Sequence, residues 1–522
     1  MAGQGRHAPK TRTACLTCKK RRVKCGLERP SCARCLKAGR QCDGYQLSVV
    51  EARPFPSSTQ TTRPQLSGSS SLLSAFRATE SEWHAYAFYT NNISGILGGA
   101  FDADLWQGLV LQVADTEPTV RHGVFALGNL FRHHGVSDSM SECVCARCRQ
   151  ALRHYNKAIS SFSQYMQRPP NQQAIDVALL SCVIFICLES YRLNDKIAIS
   201  LISRGCGMIA EAMPKGPDTP TIAIDSGLVN LFDRLWLLSS MFGHHIPRPS
   251  PRPPQTLDLG SLPPFISTIQ TARDSLHEII AVVQNLRLRV FQAQLKSTSD
   301  SERFATISAL QREQQAVLLL LESWQSDLQA LIDRQGLQAF RKSQAWSILT
   351  VQWLIAKISA AASMDPAERD GEDQSDDFRN LVAVAEECLA RHPQANETNN
   401  FLFEPCFLPA LYLTARKCRD SVIRRKALEL MSRTGGKEGL WYRSELRCIA
   451  ARVIELEEGL AVLDPQDQLG LVDQKPIRFY DILAELNYRR GGRTYVDVTY
   501  LMYDVDSDTR WRSVRETLTV AE

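Results

Sequence analysis

The sequence predicts a mainly α protein in three parts: a small metal-folded module near the N-terminus, a flexible linker, and a large helical domain closed by a short β segment. Three observations predict it. Six of the sixteen cysteines fall between residues 15 and 42 in a repeated spacing. Residues 47–77 are rich in Ser, Thr, Pro and Gln and lack apolar periodicity, the composition of a flexible linker. From about residue 78 to about residue 459 the apolar residues recur at helical spacing, without the alternation of strand and helix that a parallel sheet needs.

At 522 residues with 44% hydrophobic and 22% charged content, the chain can bury a large core. The longest apolar stretch, Val177 to Leu188, is shorter than the roughly 20 residues of a membrane span and reads as a buried helix, so no membrane partner is expected. The polar, basic N-terminus has no apolar segment of the secretory kind, which points to a reducing compartment where the cysteines are thiols. The net charge of +5 is unevenly spread. Residues 1–50 hold 12 Lys and Arg against Glu28 and Asp43, a formal +10, so the other 472 residues carry −5. A local basic block of this density is the footprint of a module that meets nucleic acid or an anionic surface, and it also suits a nuclear-import signal.

Cys15, Cys18, Cys25, Cys32, Cys35 and Cys42 form C-x2-C-x6-C-x6-C-x2-C-x6-C, one half written twice. Two thiolates at C-x2-C spacing share a tight turn and can hold one tetrahedral zinc. Six sulfurs cannot fill two separate four-coordinate sites, so two zinc ions require two bridging cysteines, and the internal symmetry nominates the first of each half. Between Cys18 and Cys25 stand Lys19, Lys20, Arg21, Arg22 and Lys24. So short a segment is marginal as an isolated helix. Structural zinc, at about 10–16 kcal/mol in small finger modules, is enough to hold it against its own repulsion.

The stretch "ACLTCKKRRVKCGLERPSCARCLKAGRQC", with Pro30 two residues before the fourth cysteine, closely resembles the fungal binuclear zinc cluster transcription regulators. The resemblance implies two Zn2+ bridged by Cys15 and Cys32, with Cys18 and Cys25 completing one site and Cys35 and Cys42 the other. It further implies a CGG-type triplet in double-stranded DNA, read in the major groove by Arg22 first and Arg21 second, with Lys19, Lys20 and Lys24 on phosphates. Gly26 stands where the family often has an acidic residue. RING and LIM modules use eight ligands, usually with His, and no His falls between residues 8 and 83. The expected function is sequence-specific, zinc-dependent transcription regulation at RNA polymerase II promoters in the nucleus. The alternative is a zinc-dependent interaction adaptor whose basic run serves only import.

The expected boundaries are 1–12 for a disordered basic N-terminus, 13–46 for the cluster, 47–77 for the linker and 78–522 for the helical domain. The linker shows no sustained heptad and carries prolines, so a dimer-forming coiled coil beside the cluster is not expected, and homodimerisation is left open. Residues 101–128 resemble the opening of the fungal-specific regulatory domain, which implies a domain that gates activity through the transcription machinery or a small-molecule effector. Pro118 marks a helix start, with Val120, Val124, Leu127 and Phe131 on one stripe. A second stripe runs through Leu152, Tyr155, Ile159, Phe162 and Met166. Residues 246–264 read as a proline-stiffened loop and 365–377 as a solvated acidic one. Residues 476–520 read as a β-hairpin or meander turning at Gly491-Gly492, with Val496, Val498, Tyr500 and Met502 on one face.

Other chemistry is set aside. Cys143, Cys145 and Cys148 read as buried thiols in a helix, since Cys145 and Cys148 fall on the stripe that continues to Leu152 and Tyr155. Asp504, Asp506 and Asp508 imitate a calcium loop, but its sixth and twelfth positions are Thr509 and Arg515. No nucleophile elbow, phosphate loop or zinc-protease motif occurs, so no enzyme is expected.

Overall fold

The computed structural model describes residues 17–18, 21, 23, 33–39, 78–132, 145–167, 172–213, 224–241, 246, 248–249, 266–295, 300–365, 374–392, 401–460, 478–485, 488–490, 493–503 and 511–520. The chain forms two compact units, Met1–Ser69 and Ser70–Glu522. In the first, the described residues include one short helix, α1 (Ala33–Lys37), with Cys35 buried in it.

The second unit opens with α2 (Glu80–Phe88). Its start is fixed by a capping box: the Thr79 hydroxyl accepts from Glu82 N, and Thr79 N donates to Glu82 Oε2. A π turn, Tyr89–Ile93, carries the chain into α3 (Ser94–Gly98), and a second, Asp104–Leu109, into α4 (Val110–Thr116). Then come α5 (Pro118–Phe131), α6 (Ala146–Tyr165), α7 (Gln172–Tyr191), α8 (Asp195–Ala212) and α9 (Ser226–Met241). Pro118 stands in the first turn of α5, as expected. Helix α5 approaches α2 so closely that a Cβ on Gly128 would lie 2.1 Å from the Ala85 carbonyl oxygen.

The second half comprises α10 (Ile269–Leu295), α11 (Asp300–Arg334), α12 (Gln344–Ala361), α13 (Ser375–Arg391), α14 (Leu408–Lys417), α15 (Ser421–Met431) and α16 (Arg443–Glu457). Side chains cap several of these starts: Ser343 accepts from Trp346 N at the start of α12, and Asp420 accepts from Val422 N and Ile423 N at the start of α15. The end of the expected acidic loop is helical instead. Ser375, Asp376 and Asp377 open α13, where acids favour the positive end of the helix dipole, and Arg391 closes it.

The all-helical expectation missed a small three-stranded sheet. β1 (Phe401–Leu402) pairs parallel to β2 (Lys437–Glu438), which pairs antiparallel to β3 (Trp441–Tyr442). Two-residue strands have no periodicity to read. At the C-terminus, β4 (Asp481–Ala484), β5 (Tyr488–Arg490), β6 (Arg493–Tyr503) and β7 (Trp511–Val520) form a sheet centred on β6. β7 runs along one edge of β6, while β4 and β5 share the other. Val496, Val498, Tyr500 and Met502 are buried on one face, as expected; Gly491, Gly492 and most of 246–264 lie outside the described residues.

Two hydrophobic cores fill this unit. One gathers α2 through α9 with Phe401 and Phe403. The other gathers α10 through α16, the C-terminal sheet and Phe101. The stripe expected on α6 needs correction: Leu152, Ile159 and Met166 are exposed, and the helix buries Cys148, Ala151, His154, Tyr155 and Ala158. Small and aromatic positions one step round the helix allow α5 to pack closely, which the larger aliphatics would not. By length and composition alone α7 and α12 could each cross a membrane, but 83% and 56% of those windows are buried within the chain itself.

Candidate metal centre and buried cavity

In the small unit, the described residues include the second cysteine of each half-repeat. Cys18 and Cys35 are both fully buried, and their sulfurs stand 3.9 Å apart across 17 residues of chain. That separation is nearly twice the roughly 2.05 Å of a disulfide and brings both sulfurs to one centre. Arg21, three residues beyond Cys18, is exposed, and its amide donates to Thr17 O at 3.1 Å. The local fold thus turns sulfurs inward and a guanidinium outward. Thiolates are soft donors that suit zinc, so these residues fit the metal. Cys15, Cys25, Cys32, Cys42, Lys19, Lys20, Arg22, Lys24 and Gly26 lie outside the described residues.

The helical unit holds a second feature that the sequence did not disclose. Between its two cores lies a cavity of about 400 Å3. Its walls come from α3, α9, α10, α12 and the segment Leu402–Cys406. Leu237, Ile280, Ile348 and Ile355 supply apolar surface.

A charged box forms one side. Arg234 of α9 donates to Glu404 Oε1 at 2.7 Å, Asp102 Oδ2 at 2.9 Å and Asp274 Oδ1 at 3.2 Å. Arg273 of α10 meets Asp102 Oδ1 at 2.8 Å and Asp274 Oδ1 at 3.0 Å, and its guanidinium lies 5.1 Å from the Phe101 ring centre. Burial and the neighbouring Glu404 charge raise the Asp102 carboxyl above its ordinary value. Burial alone would raise Glu404 as well, but the two guanidiniums hold it below the ordinary range. His277, one turn beyond Arg273, is pushed down to about 4 by burial and by the Arg234 charge. It is therefore neutral at pH 7, and since its Nδ1 lies 2.9 Å from the Arg273 carbonyl oxygen, Nδ1 carries the proton and Nε2 is left as an acceptor.

A third cluster joins α2, α5 and α6. Glu82, His122 and His154 place ligand-capable atoms within 4.8 Å of one another, with the two Nδ1 atoms 3.3 Å apart. Burial pushes both imidazoles down, His122 to about 4, so the pair is neutral. Glu82 Oε2 already accepts from the Thr79 amide and hydroxyl. Of the three thiols set aside earlier, Cys148 is buried in α6, whereas Cys145 caps that helix with its sulfur accepting from Cys148 N; Cys143 lies outside the described residues.

Comparison with known proteins decides the family. Residues 13–49 match the fungal Zn(2)-Cys(6) binuclear cluster domain, and residues 84–434 match the fungal specific transcription factor domain. The chain belongs to the fungal zinc cluster transcription factors. An aspercryptin biosynthesis cluster-specific transcription regulator of Emericella nidulans is 22% identical over 87% of this chain and 88% of its own. A transcription regulator of Purpureocillium lilacinum is 27% identical over 38% of this chain and 49% of its own, and a transcriptional regulatory protein of Schizosaccharomyces pombe is 40% identical over 11% of each chain. No solved structure matches.

As a member of this family the protein is a DNA-binding transcription regulator rather than an enzyme, and its cluster binds two zinc ions. Bound zinc supplies the free energy that folds the module. The matched regulatory stretch contains Asp102, Arg234, Arg273, His277 and Glu404, so the charged box lies within it. Sequence reasoning missed that box because its members are scattered from residue 102 to residue 404. One signal was present: Arg234 stands between Leu231 and Leu237 on the apolar stripe of α9, where a charge must find a buried partner.

Proposed function

We propose that this regulator acts in the nucleus, at RNA polymerase II promoters, by reading CGG-type triplets through the major groove. In this reading Cys15 and Cys32 bridge the two zinc ions, Cys18 and Cys25 complete one site, and Cys35 and Cys42 the other. Arg22 and Arg21 contact guanine, whose N7 and O6 suit a bidentate guanidinium, and Lys19, Lys20 and Lys24 hold phosphates. The cluster spans 13–46, the linker 47–77, and the helical domain from residue 78 gates activity, responding to a small-molecule effector or to the transcription machinery. The observation that carries the reading is the pairing of buried sulfurs at Cys18 and Cys35 with an exposed Arg21 beside them.

The test is selection from a randomised DNA pool by the full-length protein, with zinc and with chelator, at two salt concentrations. The expected result is a CGG-containing motif that appears only with zinc, and Arg22→Ala should erase the preference while leaving weak, salt-sensitive binding. Sequence-blind binding that falls with salt as a pure phosphate contact would overturn the reading. The competing account, an adaptor whose basic run serves import alone, would then stand.

A further inference from the structure

We infer that the cavity between the two cores binds an uncharged or singly cationic, mainly apolar small molecule that donates a hydrogen bond to His277. As an effector site it rests on the reading of the helical domain as regulatory; as a binding site it rests on the cavity alone.

Size and wall chemistry come first. About 400 Å3 falls within the range of small-molecule sites, and the aliphatic walls call for an apolar body. Polar specificity comes from one acceptor. His277 lines the cavity; with its Nδ1 proton committed to the Arg273 carbonyl, its remaining ring nitrogen can only accept.

The sign of the charge follows from the box. Arg234 and Arg273, the cations that line this space, are engaged by Asp102, Asp274 and Glu404. Both guanidiniums are already paired with carboxylates, so an anionic ligand would have to compete for them. An ammonium or a neutral donor would not.

The backbone around the cavity is also unusual. The π turn Tyr89–Ile93 and the left-handed Gly99, at φ +49°, bracket the segment of α3 that forms one wall. Such π insertions concentrate at functional sites, where they aim side chains that a regular helix would turn away. Because Leu97 and Phe403 belong to one core and Phe101 and Ile348 to the other, a molecule seated here touches both. Binding would therefore stabilise their mutual arrangement by mass action.

The test uses the full-length protein and one apolar skeleton with four substituents: ethylnaphthalene, naphthaleneethanol, naphthylethylamine and naphthaleneacetate, titrated calorimetrically. Naphthaleneethanol and naphthylethylamine should bind saturably, about threefold to tenfold more tightly than ethylnaphthalene, as one net hydrogen bond allows, and naphthaleneacetate should bind weakest. His277→Phe keeps a ring of similar size, removes the acceptor, and should bring naphthaleneethanol down to the level of ethylnaphthalene. Equal binding of all four, preference for the carboxylate, or no saturable binding would overturn the site, and this series needs no variant to fold. Failure here with zinc-dependent motif selection intact would leave the DNA reading standing. Success here with sequence-blind DNA binding would remove that reading alone.

Discussion

Lys437 Nζ lies 2.5 Å from Asp195 Oδ1, across 242 residues of sequence, and both side chains are almost fully buried. The ammonium also donates to Ser190 O at 2.9 Å and Tyr442 Oη at 2.9 Å, and the Tyr442 hydroxyl donates to Asp195 Oδ2 at 2.5 Å. Asp195 opens α8 in one half of the helical unit and Lys437 lies in β2 in the other. Lys437→Met should therefore destabilise the protein by about 3–5 kcal/mol, because it leaves Asp195 as a buried charge with no counterion. Pairing it with Asp195→Asn should recover part of that loss. Denaturant titration of both variants reads the difference, and a single variant as stable as the wild type would show that the pair does not hold the halves together.

The crossing of α2 and α5 gives a second prediction. A Cβ at Gly128 would sit 2.1 Å from Ala85 O, backbone that cannot swing aside like a side chain. Gly128→Ala should cost about 2–3 kcal/mol, the upper part of the range for overpacking. Gly207 in α8 has nothing within 4 Å of its built Cβ. Gly207→Ala should stabilise by roughly 0.5–1 kcal/mol through helix propensity. Opposite shifts in melting temperature from the same chemical change would separate packing from propensity.

A third prediction concerns pH. Glu438 accepts three backbone N–H groups at the start of α14, from Cys406, Phe407 and Leu408, yet burial pushes its carboxyl up to about 7. Its folded value exceeds the ordinary 4.5, so the folded protein binds the extra proton between those values. The stability this contributes is complete below pH 4.5 and is lost as pH rises through 7, on the order of 3 kcal/mol in total. His122 acts in the opposite sense. Its value of about 4 lies below the ordinary 6.5, so its contribution is present above pH 6.5 and lost as pH falls toward 4. Glu438→Gln keeps the acceptor and removes the titration. Its stability relative to the wild type should grow from pH 5 to pH 8; a constant offset would mean that Glu438 does not titrate there.

What the sequence disclosed follows from how locally each feature is written. The cysteine repeat occupies 28 residues and declares its chemistry by spacing. The long helices announce themselves by period, and β6 by the alternation of Val496, Val498, Tyr500 and Met502. The buried face of α6 was misjudged because large aliphatics were taken as the core side, whereas a close helix crossing selects Ala151 and Ala158. The cavity and the Lys437–Asp195 pair were out of reach, since each joins residues whose proximity only the tertiary fold creates.

The last prediction returns to the metal centre. Cys18 and Cys35 are fully buried with sulfurs 3.9 Å apart, and serine in place of either offers an oxygen that is a poor zinc ligand. Cys18→Ser should lower the zinc content below two per chain, measured by metal analysis of the full-length protein, and should abolish selection of a DNA motif. The helical melt monitored by circular dichroism should stay unchanged, because both hydrophobic cores consist of residues beyond the compact unit Met1–Ser69. The two readouts must separate. Motif selection that survives with only one zinc would show that Cys18 is not a required ligand, whereas a helical melt that falls with the metal would show that zinc stabilises more than its own module.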